Sequence, residues 1–370
     1  MIGVLYRNIL KPILFLFKAD DVHSLFLRMG RFLGGIKIKK WLINKILSYQ
    51  GPSLNSQVLG IDFRNPVGLA AGFDYDADLI EILPSVGFGY HTIGTVTYLP
   101  YEGNPRPMLG RLPKSKSLLV NKGFKSRGVE VVLEKIKGRE KSIPLGISIG
   151  STNQIYNSTN EMINDIVSSF QKVLENNYFD YFELNISCPN LINLNHLSDT
   201  FDSPLGLDML LNKLSKVEIN KPLFIKMYLE KSVKDTLTLA EVASKHSYVS
   251  GLIFSNLVKN RDNPNFDKEE IKKAGKGNFS GKPTKNLSNE LISEVYKKYK
   301  DRFVIIGCGG IFSADDAYEK IRRGASLVQM ITGMIYEGPQ IIGQVNKGLV
   351  DLLEKDGYKN ITEAIGSYYK

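Results

Sequence analysis

The stretch "LNISCPN" sets a thiol, Cys188, between two side-chain amides, Asn185 and Asn190, at the end of an apolar run. A thiol whose ordinary pKa is about 8.5 gives up its proton far more readily than a hydroxyl, so Cys188 is a chemically competent general base. A strand-end cysteine can also be a small buried hydrophobe, but the flanking asparagines favour the base. Lys226 lies in "FIKMY", whose apolar neighbours predict a buried strand, and an interior lysine needs a partner or a task. The expected task is that of a fixed cation beside a cofactor that becomes an anion during turnover; the alternative is a side chain snorkelling outward. Asn121, Asn185, Asn190 and Asn256 all fall at or near predicted strand ends or mouth loops. Four such amides suit a flat ligand with many donors and acceptors.

A second constellation lies near the end of the chain, where "IIGCGGI" (Ile305 to Ile311) is followed by "SADDAYEKIRRGASLVQMITG". Glycine turns after the last two strands of a barrel put backbone N–H groups around a phosphate, which implies a phosphate-bearing cofactor. No metal is expected. His23, His91, His196 and His246 are scattered, and neither cysteine has a partner thiol or a histidine at short ligand spacing.

These residues need a frame. From Pro66 onward, apolar runs alternate with longer amphipathic segments, the signature of parallel βαβ units. Eight strands are predicted, beginning at Pro66, Gly89, Pro144, Asp180, Pro222, Val249, Arg302 and Ser326. Eight units in about 300 residues predict an α/β fold of the (β/α)8 TIM-barrel type rather than an open sheet. In such a barrel Thr95, Thr97, Ser148, Asn185, Lys226, Asn256, Gly309 and Thr332 converge at the C-terminal mouth. Residues 1–48 lack strand alternation and predict a helical appendage of two or three amphipathic helices, followed by a catalytic barrel over 49–370.

The chain has 370 residues, 43% apolar and 23% charged, a globular profile with no run approaching the roughly 20 apolar residues of a membrane span. Two cysteines 120 positions apart suit a reducing, cytoplasmic setting. The net charge is +10, of which +7 resides in the first 50 residues, with nine Lys/Arg against two Asp. There the charges are interleaved with large apolar residues, as in "YRNILKPILFLFK" and "IKIKKWLINKIL". That pattern favours an anionic membrane surface over a nucleic-acid backbone. The expected location is therefore peripheral, at the inner face of the cell membrane.

"NPVGLAAGFD", "GFGYHTIGTVTYLPYEGNPRPMLGRLP", "LNISCPN", "FSGKP" and "FVIIGCGGI…GASLVQM" occur in this order along nearly the whole chain. Together they resemble dihydroorotate dehydrogenase, the FMN-dependent family of pyrimidine synthesis. The N-terminal "ADDVHSLFLRMGRFLG", with His23, resembles the appendage of the membrane-associated class, through which a quinone reaches the flavin. The resemblance implies oxidation of dihydroorotate to orotate, with Cys188 as the base and a quinone as the acceptor. A soluble acceptor such as fumarate, or a barrel that binds FMN without oxidising dihydroorotate, are the alternatives. By motif position, Asn121, Gly123, Phe124, Asn185, Asn190 and Asn256 hold the substrate. Ala71, Gly72, Thr95, Ser148, Asn185, Lys226, Ser255, Gly281, Gly309, Gly310, Ile331 and Thr332 line the FMN.

The chain also departs from that pattern. Cys188 stands where the membrane-associated class has serine, although cysteine is the base of the soluble class. Tyr75 replaces a lysine that touches both flavin and substrate, and the loop "VNKGFKS" is one residue short. Ser148 replaces an asparagine and Leu257 a threonine. Ile331 and Met108 stand in place of a tyrosine and an arginine of the quinone tunnel.

Overall fold

The computed structural model describes residues 2–191, 197, 199–254 and 256–369. Ser255 and His196, both singled out above, lie outside the described residues. All eight predicted strands form: Val67–Leu69, Tyr90–Val96, Leu145–Ile149, Tyr181–Asn185, Leu223–Met227, Val249–Phe254, Val304–Cys308 and Leu327–Met330. Neighbours are parallel, and the eighth pairs with the first through Val328 and Val67, closing a (β/α)8 barrel.

Because successive strand residues point to opposite faces, every second residue climbs the barrel interior. Tyr90, Tyr181, Phe224, Ile253, Ile306 and Leu327 form an apolar plug at its base, against which Phe63 of the hairpin Ser56–Val58/Ile61–Phe63 packs. One step up is a polar layer. Gln329 Nε2 and Thr92 Oγ1 both donate to Glu183 Oε1, at 2.6 and 2.8 Å, and bury that carboxylate fully paired on one oxygen. The next step, Asn185 after Glu183 and Lys226 after Phe224, reaches the mouth. The plug thus sets the height at which the amide and the ammonium emerge.

A second small sheet was not legible in the strand pattern. Leu109–Leu112, Ser117–Val120 and Asn278–Gly281 pair antiparallel and roof one side of the mouth. Its strands hold four residues each and its third member comes from about 160 positions away, so no local alternation announces it.

The amino terminus is helical, as expected, with a nearly continuous run from Ile2 to Phe15 followed by helices Ala19–Gly34 and Lys37–Leu47. Asp20 and Asp21 lie in the first turn of the middle helix, where carboxylates complement the helix dipole. Asp20 Oδ2 accepts from the backbone N–H groups of Met108 and Leu109, at 3.0 and 3.2 Å, which pins this helix to the roof sheet. A Cβ at Gly30 would stand 2.3 Å from Leu79 Cδ2, so glycine lets the same helix close onto the loop after the first barrel strand. Among the described residues, no helix is long and apolar enough to cross a membrane.

Candidate active site at the barrel mouth

Two adjoining cavities open at the C-terminal mouth. One, of about 150 Å³, is lined by Cys188, Asn185, Asn190, Asn256, Lys226, Gly123 and Phe124 together with Ala71, Gly72, Thr95, Ile331 and Thr332. The other, of about 100 Å³, shares Ala71, Lys226, Asn256, Ile331 and Thr332 with it and extends to Gly309 and Gly310. Most of the residues anticipated from sequence therefore meet in one place. Ser148 stands behind the wall, its Oγ 2.9 Å from Thr95 Oγ1. Gly281 underlies Thr332, whose Cγ2 would lie 2.8 Å from a Cβ there. Leu257 lines both cavities, and Met108 is buried beneath the N-terminal helix.

The amides are held in two linked groups. Asn185 Nδ2 donates to Thr95 Oγ1 at 2.9 Å, and Asn256 Nδ2 donates to Ser187 Oγ at 2.8 Å, one residue from the thiol. On the other side of Cys188, Asn104 donates to Asn121 Oδ1 at 2.9 Å and to the Asn190 carbonyl at 3.0 Å. Asn278 Nδ2 donates to Asn190 Oδ1 at 2.6 Å, and Asn153 Nδ2 to the Gly123 carbonyl at 3.0 Å. Asn104, Asn153 and Asn278 were missed in the sequence. Asn104 lies inside the quoted "GNPRP" and Asn278 immediately precedes "FSGKP". Phe124 adopts φ of 60°, a left-handed conformation that a bulky side chain keeps only where its surroundings fix it.

Electrostatics divide the site. Burial pushes the Cys188 thiol up to about 11, against the pull of the Asn190 backbone N–H and of the Lys226 and Lys259 ammonium groups. Lys226 is buried and makes no hydrogen bond or ion pair among the described residues, so its charge faces the cavities. Lys122 also lines the wall, with Tyr75 and His23 beside it. Neither Lys122 nor the roof residue Ser280, whose Oγ lies 2.8 Å from Thr332 Oγ1, was singled out in the sequence. Among the described residues no group of histidines, cysteines and carboxylates could hold a metal ion.

The chain as a whole has counterparts among known proteins. The family model for dihydroorotate dehydrogenase matches residues 53–353. The dihydroorotate dehydrogenase (quinone) of Nostoc punctiforme is 35% identical over 381 residues, covering 98% of each chain. That of Trichodesmium erythraeum is 33% identical over 382 residues, with the same coverage. Among solved structures, the DHODH of Eimeria tenella in complex with ferulenol superposes with a TM-score of 0.79 at 29% identity, covering 94% of this chain and 95% of that one. A match that spans the barrel from its basal hairpin to its last long helix, on top of relatives that match end to end, places the chain in the dihydroorotate dehydrogenase family.

Proposed function

We propose that the protein oxidises dihydroorotate to orotate in pyrimidine synthesis, with FMN as its cofactor and a quinone as electron acceptor. The observation that carries this reading is the meeting of Cys188, Lys226 and the asparagines 185, 190 and 256 on one cavity wall. The adjoining cavity borders the glycine turn at which the phosphate of a flavin mononucleotide would sit. Gly309 and Gly310 have positive φ, and a Cβ at Gly310 would lie 2.4 Å from Lys285 Cβ, so this tight turn at the cavity edge requires glycine. Ser280 and Thr332 add hydroxyl groups. Bound FMN supplies the acceptor for the hydride that leaves C6 of the substrate.

The protein's own groups do the rest. Asn190 and Asn256 match the donors and acceptors on the edge of the pyrimidine, and their neighbours Asn278 and Ser187 keep them from rotating. Cys188 Sγ takes the proton from C5. The raised thiol means that it must first lose its own proton, a loss that Lys226 and Lys259 favour. Lys226 also offers a fixed positive charge to the negative charge gained on reduction.

Residues 1–48 form the membrane-facing and quinone-delivering segment in this proposal, and 49–370 the catalytic barrel. Leu16, Phe17, Phe32, Ile38, Trp41 and Leu42 are all exposed there, beside Lys39 and Lys45, whose ammonium groups lie 4.3 Å from the Phe32 and Trp41 ring centroids. Such a mixed apolar and basic face matches an anionic lipid surface at the inner side of the cell membrane.

Anaerobic mixing with dihydroorotate tests the reading: bound flavin should lose its oxidised absorbance, and then regain it on addition of a quinone. Flavin that stays oxidised in the first step rules out the dehydrogenase. Recovery with fumarate but not with quinone would replace the acceptor.

A further inference from the structure

Lys122 is only 6% exposed, and it makes no ion pair among the described residues. Its ammonium lies 3.5 Å from Nδ1 of His23 and 4.5 Å from the centroid of the Tyr75 ring. His23 Nε2 is 2.8 Å from the Phe73 carbonyl, to which only an N–H can be given, so Nδ1 is left as an acceptor. Burial, seconded by Lys122, pushes that imidazole down to about 3, and it stays neutral. A neutral imidazole and a phenol face hold an ammonium in place without cancelling its charge. Asp20 attracts this ammonium without forming an ion pair with it, and a buried cation with no carboxylate in direct contact gains when an anion joins it.

The cavity that Lys122 lines is the one that carries Cys188, Asn185, Asn190 and Asn256. Dihydroorotate bears a carboxylate on C6, next to the C5 whose proton is removed. We propose that Lys122 binds this carboxylate, with His23 and Tyr75 as its positioning residues; the inference rests on the dihydroorotate reading above. The three groups come from three separate segments. Lys122 follows the roof strand Ser117–Val120, Tyr75 belongs to the loop after the first barrel strand, and His23 comes from the helix Ala19–Gly34.

Burial also pushes Lys122 down to about 8, opposed by Asp20 and reinforced by Lys125 and Arg106. The titratable and charged groups that face it are thus His23 and Asp20 from the N-terminal helix, Tyr75, Arg106 and Lys125. Losing the Lys122 proton removes the attraction, so orotate binding should weaken as pH rises through 8.

Calorimetric titration of the flavin-loaded, full-length protein with orotate, and with its uncharged methyl ester, tests this. Lys122→Met should weaken orotate by about 30-fold, as expected for a hydrogen bond to a charged group, and leave the ester's affinity unchanged. Lys122→Arg should recover most of the loss, and the fall in orotate affinity above pH 8 should vanish in the Met variant. The flavin spectrum reports that each variant is folded, and the pH series on the wild type needs no variant. Equal orotate affinity in wild type and Lys122→Met, or an equal loss for both ligands, overturns the role of Lys122 while leaving the dihydroorotate reading intact. A wild type that binds no orotate and keeps its flavin oxidised with dihydroorotate overturns that reading itself.

Discussion

Asn278 reaches across from the roof sheet and donates to the amide oxygen of Asn190 at 2.6 Å. The bond occupies that oxygen, so Asn190 presents its amino group to a ligand. Asn278→Leu should free the amide to rotate and raise KM for dihydroorotate about fivefold, the worth of one hydrogen bond, with a smaller change in kcat. Steady-state kinetics with a quinone acceptor check this.

Cys188 as base predicts a rate that rises with pH. Burial holds its thiol near 11 in the free protein, so the base form grows about tenfold per pH unit below that value. At saturating dihydroorotate, stopped-flow flavin reduction should accelerate between pH 7 and 9. Cys188→Ala should slow it by about 100-fold or more at every pH and leave flavin bound. A flat profile in the wild type would return Cys188 to a packing role.

Lys226 lowers the same thiol from within the cavity. Lys226→Met should therefore slow flavin reduction and move its rise to higher pH, a shift that a purely structural lysine would not produce. Comparing pH profiles of the two proteins at equal flavin content separates these outcomes.

His23 links the N-terminal helix to stability. Its folded pKa, pushed down to about 3, lies below the ordinary imidazole value of 6.5, so the unfolded chain binds the extra proton first as the medium is acidified. The stabilisation is present above about pH 6.5 and is lost as pH falls toward 3. The wild type should lose more in Tm between pH 7 and 5 than His23→Phe, measured calorimetrically at fixed salt.

The exposed aromatics should govern lipid binding. Phe17→Ser and Trp41→Ser together should weaken partition onto anionic vesicles about 100-fold, from the apolar surface each ring buries. Flotation of the full-length protein measures it, and unchanged flotation would leave that face without its proposed partner.

The barrel was legible because its strands are short apolar runs bounded by prolines and glycines, and each is followed by its own helix. Cys188, Lys226 and the asparagines were legible because strand alternation puts them at the ends of those runs. Asn104, Asn153 and Asn278 were not, since the first two lie in irregular chain, the third opens a short roof strand, and each acquires its partner only when distant segments meet. Lys122 shows the same limit. In "VNKGFKS" it is one of two lysines in a short loop, and only folding reveals that it is the buried one, set between an imidazole and a phenol.

The first helix carries a consequence for how the molecule is made. Tyr6 donates its hydroxyl to the carbonyl of Ile335 at 2.7 Å, and Arg7 pairs with Glu337 at 3.3 Å. The eighth strand, which closes the barrel onto the first, precedes those partners by only a few residues. On a ribosome, the partners of Tyr6 and Arg7 therefore emerge only after the last barrel strand, more than 300 positions behind them. Until then these late contacts cannot hold the helix against the barrel, so an anionic bilayer would compete for it before the barrel closes.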